Sequence, residues 1–158
     1  MIIAHAVMTY FRSNQSSSWL QSTELIELTI NKTKDEVQQV IEDLEPYGKF
    51  HPLITNVEKI NDGNYQIKER PYSWLPVSIG YRVFVEELTA EKAVYGFSSL
   101  VWFKPKFTYR LESPSLDTTK IQLAIRIEGP PIGRRILINK MVAAQLQLWQ
   151  AFEQSLNN

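Results

Sequence analysis

Few side chains in this sequence could do chemistry, and they are scattered. There is no cysteine, and the two histidines, His5 and His51, lie far apart, so neither thiolate chemistry nor a His-based metal site is expected. His51 precedes Pro52. As a general base it would need a partner and a proton to take; otherwise it is a loop or partly buried residue that helps the chain turn. Glu69 shares a strand face with Tyr65 and Ile67. If that face is interior, a carboxylate sits among apolar groups with a raised pKa and serves as an acid or polar anchor. If the face is wet, or if Arg70 or Arg82 neutralises the carboxylate at a rim, Glu69 is an ordinary surface group. Tyr109, between Phe107 and Leu111 on an inward-reading face, keeps a hydroxyl that needs a partner. That partner is either a ligand's polar end or backbone. Trp102 and Trp149 read as core or cavity wall. Arg134 and Arg135 form a basic pair, but a helix N-terminus favours anions, so both read as solvated.

Those residues are positioned by a simple order of elements. Thr23–Asn31 alternates, with Ile26, Leu28 and Ile30 on one side, as a half-buried strand does. Asn31 or Thr33 can cap a helix with Asp35 and Glu36 in its first turn. Val37, Val40, Ile41 and Leu44 have helical spacing, Pro46 is read as the end, and Gly48 turns the chain. Residues 51–60 lead into a strand, Asp62-Gly63-Asn64 is a hairpin turn, and Tyr65–Arg70 returns. Pro71–Pro76 is a loop. Strands follow over Ile79–Leu88, Ala93–Phe103, Phe107–Glu112 and Thr119–Glu128. The last stretch, Pro130 to Leu156, opens on prolines that a first helical turn tolerates. It carries two apolar stripes: Leu137, Met141, Ala144, Leu148, Phe152, and beside it Ile138, Val142, Gln145, Trp149, Phe152, Leu156. About 25 residues at ~1.5 Å each make a rod of roughly 37 Å, which needs a broad partner surface. Consecutive hairpins favour an antiparallel sheet. The expected fold class is therefore α+β, a curved antiparallel sheet around one long C-terminal helix with an interior cavity.

The length of 158 residues suits one domain. Residues 1–22, with the polar run between Phe11 and Trp19, read as a poorly defined arm or an added edge strand, and 23–158 as the single domain. Lys+Arg and Asp+Glu are both 17, so no electrostatic footprint for nucleic acid or an acidic membrane exists. No apolar run reaches a membrane span, the first eight residues lack a signal peptide's basic region and cleavage site, and a cytoplasmic location is expected. The sequence has no phosphate-binding glycine loop, no Gly-x-Ser-x-Gly and no zinc spacing, which argues against nucleotide hydrolysis, serine esterase chemistry and zinc catalysis.

Two stretches carry a family resemblance. Tyr47-Gly-Lys-Phe-His-Pro-Leu-Ile-Thr-Asn-Val57 is similar to the segment after the first helices in the START / Bet v 1 superfamily (SRPBCC), where a Trp- or His-Pro pair precedes I-x-x-V. Gly129-Pro-Pro-Ile-Gly-Arg-Arg-Ile-Leu137 resembles the opening of its C-terminal helix. The likeness covers about residues 23–157; the arm and the Pro71–Pro76 loop depart from a minimal member. The resemblance implies a helix-grip fold enclosing an apolar cavity, with carriage of lipids, isoprenoids or polyketide-like molecules, and in some members cyclisation or dehydration.

The leading reading is a module that binds a hydrophobic small molecule without a cofactor or metal, lined by His51, Glu69, Tyr81, Trp102, Phe107, Tyr109, Met141 and Ala144. A cyclase or dehydratase using the same pocket, and a protein-interaction module using a sheet edge or the Pro71–Pro76 loop, are the alternatives. Neither nucleic acid nor integral membrane association is expected; oligomeric state stays open.

Overall fold

Alternation of apolar and polar residues builds most of the molecule. The computed structural model describes residues 8–98 and 102–155. Its elements run β1 (Thr9–Ser17), β2 (Gln21–Ile30), α1 (Lys34–Glu42), α2 (Leu44–Phe50), β3 (Ile54–Asn61), β4 (Asn64–Glu69), β5 (Ile79–Leu88), β6 (Lys92–Phe97), β7 (Lys104–Ser115), β8 (Thr118–Glu128) and α3 (Pro131–Gln154). The eight strands form one antiparallel sheet in the order β1-β2-β8-β7-β6-β5-β4-β3. This is the expected α+β architecture, a curved sheet with a long C-terminal helix on its inner face.

Register places the apolar positions opposite one another. Ile26 faces Leu123 and Leu28 faces Ile121 between β2 and β8; Tyr109 faces Leu123 and Phe107 faces Ile125 between β7 and β8. Ile121, Leu123, Ile125 and Ile127 are fully buried, so β8 is the centre of the core. From α3, Ile138, Val142, Gln145, Trp149 and Phe152 are buried against this face, with Ala144 and Leu148 beside them. Both expected stripes thus lie on the buried side, except that Leu156 falls outside the described residues.

Several local expectations change. Part of the stretch read as an arm or an added edge strand is the edge strand β1, hydrogen-bonded along β2 from Thr9↔Thr29 to Ser17↔Ser22 with one bulge. Pro46 does not end a helix. α1 stops at Glu42, Asp43 caps α2 through its side chain on the Glu45 N–H, and Pro46 falls in the first turn of α2, where its missing N–H is no loss. Thr33, rather than Asn31, caps α1, with Glu36 closing a reciprocal capping box. The strand expected over Ala93–Phe103 ends at Phe97; residues 99–101 lie outside the described set. β7 begins earlier than expected, at Lys104. Pro105 is tolerated because β6 reaches only as far as Lys106, so no neighbour on that side needs its N–H. In α3, Ile132 and Gly133 break helical geometry, Gly133 at φ 82. Only glycine adopts that left-handed conformation readily, and the ring of Phe103 lies against the same spot.

Arg134 corrects a further expectation. It is 5% exposed, and its guanidinium donates to the carbonyls of Trp19 (3.1 Å), Gly129 (3.0 Å) and Ser18. The dipole argument assumed water around the side chain; instead the β1–β2 turn brings carbonyls that a five-donor fork can satisfy. Arg135 is exposed, as expected.

Candidate functional site

The inner face of β4–β7, the helix α2 and the flank of α3 do not close fully on one another. Between them lies a cavity of about 120 Å³. Its wall is apolar, with Ile67, Val83, Phe97 and Phe107 from the sheet and Leu137, Met141 and Ala144 from the helix. The half-exposed members Leu53, Pro71, Ile79 and Lys140 mark its mouth, whereas Tyr47, Tyr95, Tyr109 and Gln145 are buried at its floor. The loop after β4 crosses the mouth. Lys140 Nζ donates to the Pro71 carbonyl (2.6 Å) and stands 3.7 Å over the Tyr72 ring, and Arg70 braces the loop from within through the carbonyls of Ser73 and Leu75.

His51, Glu69, Tyr81, Phe107, Tyr109, Met141 and Ala144 all line this cavity. Trp102 does not. It is 75% exposed: the cavity-facing positions of β6 and β7 are the odd-numbered Tyr95, Phe97, Phe107 and Tyr109, and it is Phe103, of that parity, that packs on the core.

Each polar group in the cavity has a defined state. His51 caps α2, and its Nδ1 accepts from the Leu53 N–H (3.2 Å) and the Ile54 N–H (3.3 Å). Burial pushes its pKa down to about 4, so the ring is neutral at pH 7 with its proton on Nε2. Glu69 accepts from the Tyr81 hydroxyl at 2.6 Å. Burial raises the carboxyl above its ordinary range, while the Tyr81 hydrogen bond and Lys140 pull it back. Arg70 and Arg82, the cations weighed for this position, are exposed; Lys140 is the one that acts on Glu69.

At the floor, Tyr109 Oη donates to Gln145 Oε1 (2.8 Å), the Gln145 amide N–H donates to Tyr47 Oη, and the Tyr47 and Tyr109 hydroxyls are 3.2 Å apart. The donor-only indole N–H of Trp149, 3.3 Å from Gln145 Oε1, fixes which end of the amide faces it. With the Tyr109 proton on Gln145, the Tyr47 proton must go to Tyr109, and the three side chains close a hydrogen-bond ring. Burial drives the Tyr47 hydroxyl up to about 12 and that of Tyr109 well above its ordinary value, so both stay protonated. Tyr109 is therefore bonded to side chains, neither to backbone nor free for a ligand.

Tyr47, Tyr95, Lys140 and Gln145 were not singled out from sequence. The available signal was Gln145 itself, a polar residue inside an apolar helical stripe, which in a buried position demands partners. Among the described residues no cluster of His, Cys, Asp and Glu could hold a metal ion, and no helix is long and apolar enough to cross a membrane.

No protein-family model matches the sequence, and no curated protein matches it. Solved structures do match in shape. A START superfamily protein from Mycobacterium smegmatis superposes with a TM-score of 0.67 at 12% identity, over 85% of this chain and 94% of that one. Ginseng major latex-like protein 151 from Panax ginseng gives 0.66 at 8% identity, over 85% and 96%. The Zhui aromatase/cyclase from Streptomyces sp. R1128 gives 0.63 at 12%, over 93% and 92%. The chain has the START / Bet v 1-like helix-grip fold. In this helix-grip chain the long helix covers the β2–β8 side of the sheet, and the cavity opens where the helix parts from β4–β6.

Proposed function

We propose that this helix-grip protein binds an uncharged, largely apolar small molecule in the cavity between sheet and helix. The observation that carries the reading is the cavity itself: about 120 Å³ of space walled by apolar and aromatic side chains. A dry apolar cavity of about 150 Å³ accepts benzene, so with the loop latched the space suits one ring; acyl chains or fused rings require the Pro71 loop to move. Apolar contact provides affinity at roughly 25 cal/mol per Å² buried, and a few polar groups orient the ligand.

A thermal-shift series running from single rings through isoprenoids and fatty acids to fused polycycles tests this. A saturating ligand at a hundredfold excess over its Kd should stabilise by about 2.7 kcal/mol, a rise of about 5–10 °C for a chain of this size. Ala144→Phe fills the cavity from the helix and should abolish the shift. Ala124→Trp, on the outer face of β8, should leave it intact. A flat series with wild-type protein sinks the reading.

The Glu69–Tyr81 pair at 2.6 Å favours a second reading, a cyclase or dehydratase in which Glu69 moves a proton. That reading requires Glu69→Gln to keep ligand binding while stopping turnover; retained turnover would rule it out.

A further inference from the structure

The two ends of the sheet differ in chemistry. In the antiparallel order the links 18–20, 70–78 and 129–130 and the approach to β7 at Trp102 gather at one end, and the hairpin turns at 62–63, 89–91 and 116–117 at the other. The first end carries Trp19, Trp74 and Trp102, which are 78%, 76% and 75% exposed; of the four tryptophans only Trp149 is buried. Leu20, Ile132 and Ile136 are exposed beside them. Backbone contacts hold this group together. The Gly129 N–H donates to the Leu20 carbonyl (2.9 Å), Arg134 donates to the Trp19 carbonyl, and the Trp102 carbonyl lies against Gly129. Ile136 stands one helical turn before Lys140, which holds the loop bearing Trp74 through the Pro71 carbonyl and the Tyr72 ring. Single exposed apolar side chains are ordinary, whereas a contiguous group of them marks a contact surface.

Charge follows the same division. Lys+Arg and Asp+Glu balance at 17 each over the whole chain, yet residues 18–22, 70–79, 102–104 and 129–141 hold five basic side chains, Arg70, Lys104, Arg134, Arg135 and Lys140, and no acidic one. The carboxylates that flank these segments are engaged, Glu69 by Tyr81 inside the cavity and Glu128 by Arg126 at 3.1 Å. The hairpin turns of the opposite end carry Asp62, Glu91 and Asp117 and no base.

We propose that this basic, tryptophan-tipped end docks on the surface of an anionic lipid bilayer. Indole rings settle at the boundary between headgroups and acyl chains, where the ring is dehydrated and its N–H still finds a partner. Arginine and lysine beside them meet the negative surface potential. A second copy of the chain fits this end poorly, because two-fold pairing sets like charges face to face. The mouth of the cavity, marked by Pro71, Ile79 and Lys140, lies at the same end, so the docked orientation turns it toward the bilayer. The docking rests on the surface alone and does not require the cavity to be filled.

The test uses the full chain with vesicles of phosphatidylcholine alone and of phosphatidylcholine and phosphatidylserine in equal parts, read by cosedimentation and by tryptophan emission. Wild type should bind the mixed vesicles roughly twentyfold more tightly than the neutral ones, since each of two basic groups reaching an anionic surface is worth about fivefold. The preference should shrink at high salt, and emission should move to shorter wavelength on binding. Lys104→Gln with Arg135→Gln should remove most of the preference. Trp19→Ser with Trp102→Ser should weaken binding to the mixed vesicles about tenfold. Leu116→Ser, which changes an exposed apolar residue at the opposite end, should leave binding unchanged. All of these side chains are exposed, so melting temperatures should match that of wild type. Absence of wild-type binding to either vesicle overturns the inference. So does equal binding of wild type to the two vesicle types, or of wild type and the double tryptophan variant to the mixed one. A wild-type dimer in sedimentation velocity that the double tryptophan variant disperses, with no vesicle binding, also overturns it and assigns the surface to a second copy. None of these results bears on the thermal-shift test of the cavity.

Discussion

Gln145→Leu is the substitution that tests the hydrogen-bond ring at the cavity floor most sharply. Leucine nearly matches glutamine in size and suits the apolar stripe of α3, so on packing alone the change should be tolerated. The hydrogen bonds say otherwise. Without Gln145 Oε1, the Tyr109 hydroxyl and the Trp149 indole N–H lose their acceptor, and both side chains are at most 1% exposed. Each stranded donor costs about 1–3 kcal/mol, so the variant should lose about 4 kcal/mol, a large part of a typical domain's total. At about 2–4 °C per kcal/mol for this length, its melting temperature should fall by about 8–16 °C. Tyr109→Phe strands the Tyr47 proton alone and should cost about 1–3 kcal/mol. The combined variant Tyr47→Phe, Tyr109→Phe, Gln145→Leu removes the ring altogether. Only the Trp149 N–H is then left, and its bond was long to begin with at 3.3 Å. The triple variant should therefore be more stable than Gln145→Leu by about 1–3 kcal/mol, the difference made by no longer stranding the Tyr109 hydroxyl. Urea unfolding with matched m-values measures all of these. Losses that simply add up in the triple variant, or a Gln145→Leu protein within about 1 kcal/mol of wild type, would refute the closed ring.

Two further outcomes follow from buried polar groups. His51 has a folded pKa of about 4 against 6.5 unfolded, so the unfolded chain binds the extra proton between those values. Stability from this residue is complete above pH 6.5 and is lost as pH falls toward 4, by up to about 3 kcal/mol. Glu69 runs the opposite way, since its raised folded pKa means that acid relieves a burial penalty. Comparing wild type with His51→Asn, which keeps an acceptor for the Leu53 and Ile54 amides without titrating, isolates the His51 contribution; parallel stability–pH curves for the two proteins would contradict it. Arg134→Met should cost about 2–4 kcal/mol, because it strands carbonyls at Ser18, Trp19 and Gly129 that a charged donor now satisfies. It should also speed hydrogen exchange along β1 and β2 more than along β5. Arg135→Met, at an exposed position, should change neither, and equal effects at the two arginines would remove the assigned difference.

The parts of the fold legible in sequence are those where one local rule decides. Ile79–Leu88 was readable to the residue because alternation and flanking turn residues agree there, and Ile121, Leu123, Ile125 and Ile127 declare a buried face without help. Pro46 was misread because a proline that ends one helix looks the same as one that starts the next; the deciding residue, Asp43, is a cap whose bond to Glu45 appears only in three dimensions. Trp102 was misplaced because a large aromatic reads as core or wall by residue type alone; the inward positions Tyr95, Phe97 and Phe103 share a parity that Trp102 lacks. Glu69 could be put on an inner face from its neighbours Tyr65 and Ile67. Its partner Tyr81 sits diagonally on β5, and Lys140 comes from α3, so their pairing depends on register and on helix placement. The Tyr47–Tyr109–Gln145 ring unites α2, β7 and α3, and no spacing along the chain encodes it.

The pairing of β2 with β8 also dictates an order of assembly. Ile30 lies opposite Thr119 and Gln21 opposite Glu128, so the strand laid down second waits for the last one. Before residues 118–128 join, the chain can make a β1–β2 hairpin and a β3–β7 meander, two fragments with no sheet contact between them. Each shows an apolar inner face that α3 helps to cover, and β2 and β7 each present an open edge to any passing strand. Closing so long a loop is entropically slow. β8 is thus the clasp of the molecule, and nascent or truncated chains that lack it are the form most exposed to aggregation.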